Sequence, residues 1–141
     1  MTTMGDAWIL VKTPELTMLA ATLVLAFVHI FLPAAGRTMA NGLVWNAGAR
    51  DGVPQRPGVI TERLERAQAN MWETLPLFIG AVLIAHVTGK TGDLTFWGTQ
   101  AFFWARVVYI PIYALGIPMV RSLIWLVAMG GLVAIFAALF S

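Results

Sequence analysis

"ERLERAQANMWETLPLFIGAVLIAHV", residues 62–87, opens with arginines and glutamates and closes as an unbroken apolar run. Its second half suits lipid and its first half does not, so the reading of this stretch decides the fold. Residues three and four apart share one face of an α-helix. Arg63, Arg66, Asn70 and Glu73 follow that spacing and make one polar stripe, with Glu62 four residues before Arg66. A charge facing lipid at a helix centre costs about 2.5–3.5 kcal/mol on insertion scales. The stripe must therefore turn toward other helices or toward a partner subunit.

Composition puts the rest of the chain in the same setting. Its 141 residues are 59% hydrophobic and 11% charged, against about 25% charged in soluble domains. That length suits a single domain over residues 1–141, with no separate soluble module. A hydrocarbon core of about 30 Å needs roughly 20 apolar residues in a helix. Four runs approach that length: Leu16–Ala35, Ala69–Val87, Leu94–Leu115 and Ser122–Phe140. They are continuous rather than alternating, which favours helices over barrel strands. The first run is longer than the roughly 7–15 apolar residues of a signal peptide, and the chain does not start with a basic segment. Four spanning helices are expected, over residues 14–36, 62–88, 94–116 and 120–140.

The connections set the topology. Residues 36–61 hold Gly, Pro and Asn residues that predict an irregular loop, with the first helix running on a little past Arg37 and Thr61 as N-cap of the second span. "TGKTGD" (88–93) reads as a short turn, and Pro118 discourages a continuous helix between the last two spans. Such short connections predict an antiparallel, up-and-down four-helix bundle. Arg37, Arg50, Arg56, Arg63 and Arg66 border the long loop and Arg121 the last turn, whereas Lys12 and Lys90 fall on the opposite side. The positive-inside rule then puts the arginine-rich side in the cytoplasm and both termini outside.

The third span carries a matching polar face. Arg106, Tyr109 and Tyr113 in "FFWARVVYIPIYALG" (102–116) are spaced by three and four. Arg106 is an intramembrane cation and Glu73 a carboxylate well inside a neighbouring span, so a buried Arg106–Glu73 pair is expected. Pro76 and Pro111 each remove a backbone donor and predict kinks near this zone. Together these groups outline a cationic cavity at the cytoplasmic membrane edge. Arg63 or Arg66, Arg121 and Arg37 can hold carboxylates, Asn70 and Glu73 can hold amide or ammonium groups, and the tyrosines add hydroxyls. A small zwitterionic or anionic ligand fits that chemistry. Plainer readings stay open: an ion pair that only fixes helix register, interfacial tyrosines, and arginines that only set orientation.

Other function classes find less support. A net charge of +2 with scattered basic residues argues against nucleic acid as a partner. The chain has no cysteine, hence no disulfide framework and no cysteine ligand or nucleophile. His29 and His86 lack neighbouring carboxylates and make a poor metal site. They are assigned to packing or interfacial contact, and no metal is expected. Trp72, Trp97, Trp104 and Trp125 fit membrane edges or helix packing, and Gly130 and Gly131 fit close helix approach.

"ERLERAQANMWETLPLF" resembles the signature of the MAPEG family, the membrane-associated proteins in eicosanoid and glutathione metabolism. The matching positions are Glu62, Arg63, Arg66, Ala67, Asn70, Glu73 and Pro76. "ARVVYIPIYALGIPMVRS" (105–122) is similar to a second family pattern, an alanine-arginine, aromatics on one face, a glycine and a closing arginine-serine. The resemblance implies a homotrimer of four-helix protomers in the inner membrane of a bacterium, binding glutathione as co-substrate between subunits on the cytoplasmic side. It implies that Arg66, Asn70, Glu73, Tyr109 and Tyr113 grip the tripeptide, that Arg121 with Ser122 faces its sulfur as the catalytic group, and that Arg37 contributes from helix one. The implied activity is a transferase or peroxidase acting on lipophilic electrophiles or hydroperoxides in membrane lipid, with a detoxifying role. Thr74 stands where the leukotriene-forming branch has tyrosine, which argues against that specialised activity, and Ala69 replaces a basic residue of some members. A non-catalytic member binding a thiol, lipid or protein partner is the alternative, and a transporter or channel component using Arg106 and Glu73 a third reading.

Overall fold

A computed structural model describes residues 13–141; the Lys12 part of the charge asymmetry lies outside them. The described residues form four long helices and one short one: α1 Pro14–Asn41, α2 Leu43–Ala47, α3 Val59–Val87, α4 Asp93–Leu115 and α5 Pro118–Leu139. Proline opens α1 and α5, where its missing N–H is no loss. Gly116, left-handed at φ 73°, closes α4. Its position also suits Arg63, because a Cβ there would sit 2.5 Å from the guanidinium carbon.

Contacts between helix ends give the directions. At one end Arg37 of α1 pairs with Glu65 of α3, and Arg63 Nη1 donates to the carbonyl of Ala114 at 3.0 Å. At the other, the Thr95 hydroxyl donates to Glu15 Oε1 at 2.7 Å, joining the starts of α4 and α1. Lys90 Nζ donates to the carbonyls of Leu139 and Ser141, at 2.8 and 3.1 Å. Each long helix therefore runs opposite to the one before it. The arginine-bearing ends α1-C, α3-N and α5-N share one side of the molecule with the end of α4.

The core lies on the other side of the Arg106 level. Phe78 and Phe102 stack at 4.2 Å with 9° between their planes, surrounded by Leu19, Val82, Leu132 and Ile135. There α4 and α5 touch backbone to backbone at Gly98 and Gly131. A Cβ on Gly98 would lie 2.6 Å from the Gly131 carbonyl, and one on Gly131 the same distance from that of Gly98. Close approach needs glycine at both positions, whereas Gly130 beside them faces open space.

The all-helical membrane reading holds, with refinements. Among the described residues α1, α3 and α5 are long and apolar enough to cross a membrane. The expected third span, α4, is a helix, but Gln100, Arg106, two tryptophans and two tyrosines make it more polar. It turns Thr95, Thr99, Arg106, Tyr109 and Tyr113 inward. The first helix runs past Arg37 to Asn41 as expected, and the predicted irregular loop is corrected in part, because residues 43–47 form α2. Thr61 is not the N-cap either. Gly58 holds that place, and Thr61 is buried against Gly36, where a Cβ would meet its hydroxyl at 2.0 Å. Pro33, Pro76 and Pro111 lie within continuous helices.

Candidate functional site

Arg106 anchors the polar half of the molecule. Only 1% of it is exposed. Its Nη1 donates to Asn70 Oδ1 at 2.6 Å and its Nη2 to Thr74 Oγ1 at 2.7 Å. The guanidinium carbon also stands 5.3 Å from the Phe102 ring centre and 5.4 Å from that of Tyr109, distances at which aromatic faces attract a cation. The expected pair with Glu73 is not formed. At 3.6 residues per turn, Glu73 sits about 100° around α3 from Thr74. The buried face passes through Ala67, Met71, Thr74 and Phe78, and Glu73 beside it is exposed. Among the described residues, ion pairs join Arg37 to Glu65 and Arg56 to Glu62, and neither involves Arg106.

One side of Asn70 faces this arginine and the other faces a crevice. Asn70, Tyr109, Tyr113, Arg121, Ser122 and Trp125 line a space of about 260 Å³ between α3, α4 and α5. Tyr109 and Tyr113, four apart on α4, meet edge to face at 5.2 Å. The Arg121 guanidinium lies 4.9 Å from the Tyr113 ring centre. A second crevice of about 150 Å³ takes in Arg63, Arg66 and Gly116 and shares Tyr113 and Arg121 with the first. The two adjoin at those shared side chains, at the arginine-bearing end of the helices.

The walls have one electrostatic character. Arginine and the tryptophan indole only donate, and hydroxyls donate or accept. Among the described residues no carboxylate lines either crevice. Such a surface suits carboxylates, carbonyls or a thiolate first, and carries no charged partner for an ammonium group.

Of the sequence-predicted site residues, Asn70, Tyr109, Tyr113, Arg121 and Ser122 come together in one crevice, with Arg66 in the adjoining one. Two stand apart within the single chain. Glu73 is exposed and lines neither crevice, although its charge still reaches Arg106 and Tyr109. Arg37 borders a separate hollow of about 320 Å³ with Trp45, Arg50, Gln55 and Glu65. Trp125 and Thr74 were not singled out as site residues. Each stands four residues from one that was, Trp125 from Arg121 and Thr74 from Asn70, and that spacing was the available signal. A larger groove of about 370 Å³ follows the Gly98–Gly131 contact. Its walls include Trp97, Ala101, Val127 and Ala134, and Asp93 is the one titratable side chain among them.

The family model for MAPEG matches residues 16–141. The chain belongs to the MAPEG family. No curated protein and no solved structure matches it. MAPEG membership covers all four long helices almost completely, so both crevices lie within the matched segment. It makes the chain a membrane protein of the family of glutathione and eicosanoid metabolism.

Proposed function

We propose that this MAPEG protein is a glutathione-dependent transferase or peroxidase for lipophilic electrophiles or hydroperoxides. The observation that carries the reading is the crevice lined by Asn70, Tyr109, Tyr113, Arg121, Ser122 and Trp125, rich in donors and without a carboxylate. Glutathione presents two carboxylates, two amide carbonyls and a thiol, which call for donors, and one ammonium group, which calls for an acceptor. Arg63 and Arg66 next door suit the carboxylates, and Arg121 suits the sulfur.

The chemistry follows from that last placement. A cysteine-type thiol has a pKa of about 8.5, and the thiolate is the nucleophile. A guanidinium beside the sulfur favours the anion and lowers that pKa, and each pKa unit corresponds to about 1.4 kcal/mol. In conjugation the thiolate forms a carbon–sulfur bond as the leaving group departs with its electron pair. In peroxide reduction it attacks the distal oxygen, the O–O bond breaks to leave an alcohol and a sulfenic acid on glutathione, and a second glutathione thiol displaces that oxygen as water to form the disulfide. Arg121 has the catalytic role in either course; Arg66, Asn70, Tyr109, Tyr113 and Ser122 hold the peptide.

The assembly we infer is a homotrimer in which α1, α3, α4 and α5 all span the membrane as an up-and-down bundle. Glu73 supports it. This residue is the midpoint of the 29-residue α3 and is exposed in the single chain, where lipid contact would cost about 2.5–3.5 kcal/mol on insertion scales. A neighbouring subunit against that face removes the cost and brings Arg37 or Glu73 to an adjacent crevice. The arginine-bearing end faces the cytoplasm on this reading, in a bacterial inner membrane.

Reconstituted protein supplied with glutathione should consume it with an aryl halide or a lipid hydroperoxide, and the detergent-solubilised protein should have three times the chain mass. Glutathione binding without consumption of either substrate would favour a non-catalytic binding role. No binding at all would refute the reading.

A further inference from the structure

Asn70 is the residue that joins the buried arginine to the crevice, and its amide can face the crevice in two ways. One presents the carbonyl oxygen to a ligand, the other presents the NH2. The neighbour on the protein side decides between them. Arginine has five N–H donors and no acceptor, so the Asn70 group that meets Arg106 Nη1 at 2.6 Å has to be the oxygen. Arg106 is itself held from turning, because Nη2 is committed to Thr74 Oγ1. The Thr74 hydroxyl in turn donates to the Met71 carbonyl at 3.2 Å, which leaves its lone pairs toward the arginine. This chain of donors has one direction, from Arg106 to Asn70 and Thr74, and all three side chains lie on the packed faces of α3 and α4.

We infer that Arg106 is a positioning residue that locks the Asn70 amide with its NH2 toward the crevice, so that the ligand group held at Asn70 is a hydrogen-bond acceptor. This deepens the glutathione reading and rests on it for the identity of the ligand. The position at Asn70 receives a carboxylate or amide carbonyl of the peptide and excludes its ammonium group. It narrows the sequence expectation for Asn70, an amide or ammonium group, to a group that accepts. The ammonium must lie elsewhere, toward a group that accepts.

The test is Asn70→Asp beside Asn70→Leu, with unfolding temperature and glutathione affinity measured on detergent-purified protein. Aspartate keeps an acceptor for Arg106 and removes the donor from the crevice. The expected result is an unfolding temperature for Asn70→Asp at or above that of the native protein, a lower one for Asn70→Leu, and a loss of glutathione affinity of about tenfold or more in Asn70→Asp. A fall in unfolding temperature for Asn70→Asp as large as for Asn70→Leu would overturn the locked orientation. So would native affinity in Asn70→Asp. Arg106 has its own arm: Arg106→Lys, which still only donates, should retain more affinity than Arg106→Gln, whose carbonyl can accept from Asn70 and lets the amide turn over. Equal losses in both would refute the positioning role. Should native protein not bind glutathione at all, the ligand reading fails, while the unfolding temperatures still decide the orientation of Asn70.

Discussion

The two halves of these helices solve opposite problems with one set of backbones. Below Arg106, around Phe78, Phe102, Gly98 and Gly131, space is filled by stacked rings and backbone contact. Above it, from Asn70 to Arg121, the same α3, α4 and α5 stand far enough apart to leave crevices lined with donors. The difference comes from residue size and polarity at equivalent depths. Two glycines let α4 and α5 close at one end, while Tyr109, Tyr113 and Trp125 hold them open at the other. Tight packing in the first half supplies the rigidity that side chains in the second need to keep a fixed geometry.

Breaking the open half at its charge should have the largest effect. Arg121→Ala should lower the rate of glutathione consumption by about 10²–10³-fold, the usual cost of removing one donor to a developing anion, with little change in unfolding temperature. An equal loss in both measurements would make Arg121 a structural residue. Breaking the closed half comes next. Gly98→Ala should destabilise the protein by about 1–3 kcal/mol in detergent unfolding, as overpacking does, since its Cβ would meet backbone. Gly130→Ala serves as the internal control. It has open space around it and should be neutral or gain up to about 1 kcal/mol from helix propensity.

A subtler change sharpens the contrast. Trp125→Phe keeps a ring in the crevice wall and deletes one donor. It should weaken glutathione binding by about tenfold or less, as expected for a single hydrogen bond, as read by calorimetry, with unchanged stability. The smallest effect belongs to neither half. Arg56→Ala removes the exposed pair with Glu62 and should leave both activity and unfolding temperature unaltered, since exposed pairs contribute little.

Much of this was legible in the sequence. The expected spans agree with the four long helices to within about five residues at each end, because hydropathy and length act over many positions. The short α2 was not legible: five residues between Gly42 and Gly48 carry no periodicity. In the site, three-and-four spacing grouped Tyr109 with Tyr113 and directed Asn70 inward. The expected Arg106–Glu73 pair is what spacing did not predict correctly, because Asn70 and Thr74, not Glu73, meet the arginine. Which carboxylate or amide Arg106 would meet depended on the rotation of α3 by a single residue. Spacing within one helix does not fix that rotation; packing against α4 does. Trp125 was read as an edge or packing aromatic because tryptophan serves those roles so often in membranes, and only the meeting of α3, α4 and α5 shows it beside Asn70.

The central claim is that the donor-rich crevice holds glutathione as an anion at sulfur. Titrating the purified protein with glutathione near neutral pH, while following the ultraviolet absorbance of the thiolate, tests it most directly. The account predicts a saturable thiolate signal in the native protein that is lost in Arg121→Ala while that variant still folds. Saturable binding of glutathione with its thiol still protonated would contradict it.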